Sequence, residues 1–255
     1  MATHGPMRGD GDWLYRDVPD PLGSLYGHFA ARDRTAGRRW ANQRQRRSLI
    51  LATARQLMAE QDFSQVHVEH VASRCGVSVQ TIYNLVGNRS EMIGASAEEW
   101  VFAIAEVARA DAEARDLNEV FTLLTIFWSS AIIRADYVRS ASRTSIADIG
   151  ELRLRFHRAG VEVFRDQLMR IAAGDGLRDH VNIPSMARQL ALNANVAISN
   201  WSIYGRTVAE FRDDLLNGPG LMLMGALQGA ELVRLERTLD AMRRTASPAP
   251  PATLM

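Results

Sequence analysis

Apolar residues recur along most of the chain at intervals of three and four, the spacing of one face of an α-helix. Ile50, Ala54, Leu57 and Met58 make such a stripe within residues 42–61, and Asp62 and Phe63 end it. A short helix is predicted from Val68 to Cys75, with Val68, Val71 and Ala72 inward. Gly76 is placed to close it in a left-handed conformation, and Ser78 to cap the next helix, Val79 to Leu85. Asn88-Arg-Ser-Glu91 opens a fourth helix with a capping-box pattern, which Ile93, Ala97, Trp100, Ile104 and Val107 continue. Further helices are predicted over 117–134, 136–144, 148–173, 183–204, 207–217 and 220–243. Gly174-Asp-Gly176 and Gly218-Pro-Gly220 mark breaks, and Pro184 sits near a helix start, where its missing N–H costs nothing. No run alternates as a strand does. The expected class is all-α, with nine or ten helices.

The two ends lack this period. Residues 1–37 are rich in Gly, Pro and Asp and read as an arm, although Trp13, Tyr15, Tyr26 and Phe29 make it more aromatic than a typical tail. Residues 246–255, ending in SPAPPATLM, read as a disordered tail.

Composition changes the picture further. The chain has 255 residues, 47% hydrophobic and 23% charged, which suits a globular body and not a disordered one. No apolar stretch reaches the ~20 residues of a membrane span and no secretory signal is visible, so a cytoplasmic protein is expected. Cys75 is the only cysteine, which excludes an internal disulfide or multi-cysteine zinc site. The basic residues are all arginine, which excludes Schiff-base or P-loop chemistry built on lysine. The net charge of +1 hides an asymmetry: residues 38–90 carry eight arginines against Glu60, Asp62 and Glu69, a net +5. A basic segment joined to a mildly acidic body suggests a polyanion-binding module on a larger domain.

That segment holds a short helix, a tight turn at Gly76 and a second short helix behind a longer one: the helix-turn-helix pattern. Val77 plugs the angle between the short helices and Ile82 turns inward. Val79, Gln80, Thr81, Tyr83 and Asn84 are then presented outward, on a helix that fits the ~12 Å major groove of B-DNA. The run Ile50-Leu-Ala-Thr-Ala54, Phe63, Val71-Ala72-Ser-Arg-Cys-Gly76-Val77-Ser78, Thr81-Ile82-Tyr83 and Asn88-Arg89-Ser-Glu91 resembles the DNA-binding domain of tetracycline-repressor (TetR) family regulators over roughly residues 45–95. The chain departs from that pattern at Asp62, where the family usually has Gly, at Val86, where it has Phe, and at Arg89, where it has Lys. It also departs at His67, where a Thr or Ser commonly touches phosphate.

The resemblance implies an N-terminal three-helix helix-turn-helix domain, 38–90, followed by a larger helical effector-binding and dimerisation domain, 91–245. It implies a ligand-responsive regulator, most often a repressor, that binds a palindromic double-stranded DNA operator as a homodimer and needs no cofactor. Arg44, Arg46, Arg47, His67, Ser78, Tyr83, Asn84 and Arg89 are the expected DNA-positioning residues, with Val79, Gln80 and Thr81 at base edges. A small, largely apolar effector is expected in the body. Phe121, Phe127, Trp128, Phe156, Phe164 and Met169 are candidates for an apolar lining, and His157, Asn193, Asn195 and Tyr204 for its polar contacts. Helices 183–204 and 220–243 are expected to pair with a second copy through Leu190, Ala194, Trp201, Leu235 and the close-approach glycines Gly225 and Gly229.

Other chemistry finds little support. His67, His70 and Cys75 lack a fourth metal ligand. Glu98-Glu99 and Asp213-Asp214 are adjacent in sequence and so point about 100° apart on a helix, which suits solvation and not shared acid–base work. No HExxH, GxSxG or Gly-rich phosphate fingerprint is present. The competing reading is an all-α enzyme or small-molecule carrier whose helix-turn-helix is a decoy.

Overall fold

A computed structural model describes residues 38–61, 65–133, 135, 138, 139 and 151–246. Nine helices lie among these residues: α1 (Arg38–Glu60), α2 (Val68–Cys75), α3 (Val79–Leu85), α4 (Arg89–Arg115), α5 (Glu119–Ile133), α6 (Glu151–Ala173), α7 (Ile183–Tyr204), α8 (Val208–Ala226) and α9 (Gly229–Ala246). The all-α expectation holds. The arm, most of the helix expected at 136–144, and the last residues of the tail fall outside the described residues, as does the break at Asp62-Phe63.

Two apolar cores organise the chain. The smaller, the head core, joins Ile50, Leu51, Ala54, Leu57 and Met58 of α1 to Val68, Val71 and Ala72 of α2, Ile82 of α3 and Met92, Ile93 and Ala95 of α4. The larger, the body core, begins on the same α4 at Trp100 and gathers α5 to α9. In the body, Trp201 of α7 stacks on Phe211 of α8, with ring centroids 4.8 Å apart. Trp100, Phe127 and Phe156 form a triad across α4, α5 and α6, with centroids 5.7–6.4 Å apart.

Helix ends follow local chemistry. The Asn88 side chain accepts from Glu91 N–H while the Asn88 N–H donates back to the Glu91 carboxylate, a full capping box. Thr207 and Glu210 do the same for α8. Asn182 caps α7 with Pro184 in its first turn.

The C-terminal helices depart from expectation. Gly218-Pro-Gly220 does not break the chain, because α8 runs through Pro219 to Ala226. Proline removes one helical hydrogen bond, but Pro219 is buried and its glycine neighbours let α8 lie close to its partners. A Cβ on Gly220 would sit 3.4 Å from Phe121, and one on Gly218 3.2 Å from Asn193. The true break is at Leu227-Gln228, where an extended pairing with the turn after α6 captures the backbone. Arg178 N–H donates to Ala226 C=O and Gln228 N–H to Gly176 C=O, both at 2.9 Å. The Gln228 side chain adds bonds to the Asp175 and Leu177 carbonyls. Gly225 and Gly229 therefore lie on different helices and form no shared close-approach face; Gly229 opens α9 at φ +57°.

Candidate nucleic-acid interface

The head builds its outward face from local rules. Gly76 adopts φ +66°, and a Cβ added there would meet nothing within 4 Å, so backbone conformation and not crowding demands glycine. Its N–H bonds the end of α2, and the N–H of Val77 reaches Ala72 C=O at 3.0 Å. Ser78 begins α3 by accepting from Thr81 N–H at 3.2 Å. Ile82 is fully buried, which locks the rotation of α3 and decides which residues face out.

Ser78, Gln80, Tyr83 and Asn84 are exposed, and Thr81 is half-buried. Tyr83 stands 47% exposed, so it is not part of the head core. The polar side chains of α3 are paired with one another: Ser78 and Thr81 hydroxyls lie 2.8 Å apart, and the Gln80 amide donates to Asn84 Oδ1 at 2.9 Å. Val79 differs from the outward expectation, because it packs partly against the head core. Arg44, Arg46 and Arg47 are exposed on the second and third turns of α1. His67 is exposed at the start of α2, where it makes no side-chain cap, and its ring meets that of His70 edge-on at 5.6 Å. Arg89 turns inward in part: its Nε donates to the Val66 carbonyl at 2.6 Å.

In the body, Phe121, Phe127, Trp128 and Phe164 are buried and Phe156 packs against them. The Asn195 amide lies 3.3 Å from His157 Nδ1 and also donates to Ala191 C=O, joining α6 to α7. Asn193 lies against Gly218. Two expected lining residues do not face the interior: Met169 is 56% and Tyr204 76% exposed, because each falls on the outer face of its helix. Three expected interface residues are instead core. Leu190, Trp201 and Leu235 are at most 1% exposed inside one chain, so they have no surface to offer a second copy, and Ala194 packs partly against the same core. Besides Tyr204, the large apolar residues left exposed on α7 and α8 are Leu192, Val196, Val208, Leu221 and Met224. Leu221 is among the residues the sequence offers as apolar surface, but Leu192 and Val196 were missed because α7 carries apolar residues on more than one face, so its stripe could be drawn through either. Among the described residues no cluster of His, Cys, Asp and Glu could hold a metal, and no helix is long and apolar enough to cross a membrane.

Residues 50–95 match the sequence model of the bacterial regulatory proteins of the tetR family. No curated protein matches the chain in sequence. Among solved structures, the chain resembles the transcriptional repressor QsdR of R. erythropolis (19% identity, 72% of this chain and 96% of that one, TM-score 0.55). It also resembles a TetR-family regulator of Pectobacterium atrosepticum (14%, 76% and 99%, 0.55). A third likeness is to Thermus thermophilus FadR, a TetR-family repressor solved with lauroyl-CoA (16%, 82% and 100%, 0.51). Residues 50–95 of the head thus match the tetR-family helix-turn-helix model, and the chain as a whole shares the fold of these solved TetR-family structures.

Proposed function

We propose that the protein is a transcriptional regulator, acting as a repressor, that binds a DNA operator as a homodimer and is released by a small, largely apolar effector. The observation that carries this reading is α3: a helix anchored by one buried residue, Ile82, with Ser78, Gln80, Tyr83 and Asn84 exposed, in a head whose α1 also exposes Arg44, Arg46 and Arg47. Arg44, Arg46, Arg47 and Tyr83 meet phosphates, which supply affinity and register; Gln80 and Thr81 read base edges. His67 adds a phosphate contact at the start of α2.

A second copy covers the exposed apolar residues Leu192 and Val196 of α7 and Leu221 and Met224 of α8. Two-fold symmetry then places two recognition helices on half-sites about one helical turn, ~34–36 Å, or a multiple of it apart. The effector binds in the body near the Trp100–Phe127–Phe156 triad, with the His157–Asn195 pair as its polar contact. The repressors among the structural neighbours, one of them holding an acyl chain, support this reading by analogy of fold.

The test is selection of a binding sequence from random duplex DNA, followed by a gel shift at low salt. A palindromic sequence retarded as a complex with two copies of the chain is the expected result. Failure to retard any duplex leaves the reading without support and favours the enzyme or carrier alternative.

A further inference from the structure

Helix α4 passes through both cores, and what lies between them is polar. Met92, Ile93 and Ala95 belong to the head core, and Trp100, Ala103 and Ile104 to the body core. At the junction, α4 meets α1 through Arg55, whose side chain is 2% exposed, and Glu99, 10% exposed. Arg55 Nη1 donates to Glu99 Oε2 at 2.7 Å and to the Ser96 carbonyl at 3.2 Å. Ser48 Oγ donates to the other Glu99 oxygen at 3.1 Å. The buried Ser96 hydroxyl lies 3.3 Å from the Leu51 carbonyl of α1.

Glu98, the preceding residue, turns to the other side. Its Oε2 lies 3.9 Å from Arg155 Nη1 of α6. The Arg155 stem crosses α4 above Gly94, where a Cβ would lie 2.7 Å from Arg155 Cδ. The adjacent carboxylates therefore divide their work: Glu99 ties α4 to the head, and Glu98 faces the body.

A buried ion pair is an expensive joint. A well-packed apolar pair of similar volume is often equally stable or more so. What the ionic pair adds is direction, because a planar guanidinium and a carboxylate with both oxygens engaged meet in a narrow range of geometries, whereas apolar side chains slide. The head core holds α1, α2 and α3 together, so the angle of α1 on α4 sets where α3 points. We infer that Arg55 and Glu99 are positioning residues for DNA recognition: their pair fixes the head on α4 at the angle the operator requires, and Arg155 across Gly94 is where the body bears on that joint. This inference rests on the functional reading above.

The test removes both charges together. Arg55→Met/Glu99→Met leaves no buried unpaired ion, so it is expected to melt within a few degrees of wild type or above it. It should nevertheless bind the duplex selected by the wild-type protein at least tenfold more weakly. A spin label at exposed residue 69 (Glu69→Cys in a Cys75→Ser background) should report a narrow distance between the two heads of the wild-type dimer and a broad one in the double variant. Glu99→Gln, which keeps shape and drops charge, is the second variant. It should broaden the same distance and weaken binding by a smaller factor, whether or not the double variant folds. Wild-type affinity and a narrow distance in a folded variant overturn the inference. A wild-type protein that selects no duplex overturns the functional reading instead, and is told apart by occurring before any substitution is made.

Discussion

Arg89, on the first turn of α4, donates from Nε to the carbonyl of Val66 at 2.6 Å. Val66 is fully buried just ahead of α2, so the bond ties the start of α4 to the entry of the helix-turn-helix. Arg89→Ala should therefore destabilise the protein, by about 1–2 kcal/mol, because it leaves a buried carbonyl without this charged donor. Arg47→Ala, at an exposed site, should change stability by no more than about 0.5 kcal/mol. Urea unfolding of the two variants checks this; equal stabilities would make Arg89 a surface residue like Arg47.

Gln80 and Arg47 should fail differently on DNA. If Gln80 turns from Asn84 to pair with a base, Gln80→Ala should cost about 1–3 kcal/mol at one base pair and relax the preference there. Arg47→Ala should weaken binding to every duplex and reduce the slope of log affinity against log salt by about 0.9. Competition binding with single-base variants of the selected duplex, repeated across salt concentrations, separates the two. An unchanged sequence preference in Gln80→Ala would remove α3 residue 80 from base reading.

Trp201 and Leu221 should divide folding from assembly. Trp201 is 1% exposed and stacked on Phe211, so Trp201→Ala should cost about 3–5 kcal/mol of folding stability. Leu221 is 71% exposed, so Leu221→Glu should leave the folded chain intact and shift it toward monomer. Sedimentation and thermal melting together read both effects. A Leu221→Glu protein that remains a dimer places the contact elsewhere.

Acid should loosen the start of α8. The Thr207 backbone N–H, the Arg206 guanidinium and the Thr207 hydroxyl hold the Glu210 carboxyl at about 2, against an ordinary 4.5. A depressed carboxyl stabilises the fold fully above its unfolded value and loses that contribution as pH falls from about 4.5 toward 2. Carboxyl NMR titration should place Glu210 near the lower value in wild type and higher in Thr207→Ala. A midpoint near the ordinary 4.5 in the unaltered protein would show that the capping box does not hold in solution.

What local chemistry writes into the chain is its helical punctuation. The positive φ of Gly76, the caps at Ser78 and Asn88 and the limits of α2, α3 and α7 follow from short-range steric and hydrogen-bonding rules, and each is readable from a few neighbouring residues. The outward set of α3 is readable for the same reason, since one inward residue on a two-turn helix fixes the rest; only Val79, at the margin, leans into the core. Contacts between distant segments decide the remainder. Pro219 stays helical because packing on α5 and α7 outweighs one lost hydrogen bond, and the chain breaks at Leu227 because residues 176–178, some fifty positions earlier, take its backbone bonds. Which stripe of α7 is core, and which is left exposed, depends on where α6 and α8 lie against it. Glu98-Glu99 reads as a solvated pair until the fold brings Arg55 and Arg155 to opposite sides of α4, because charge along one helix carries no information about partners 44 and 57 residues away.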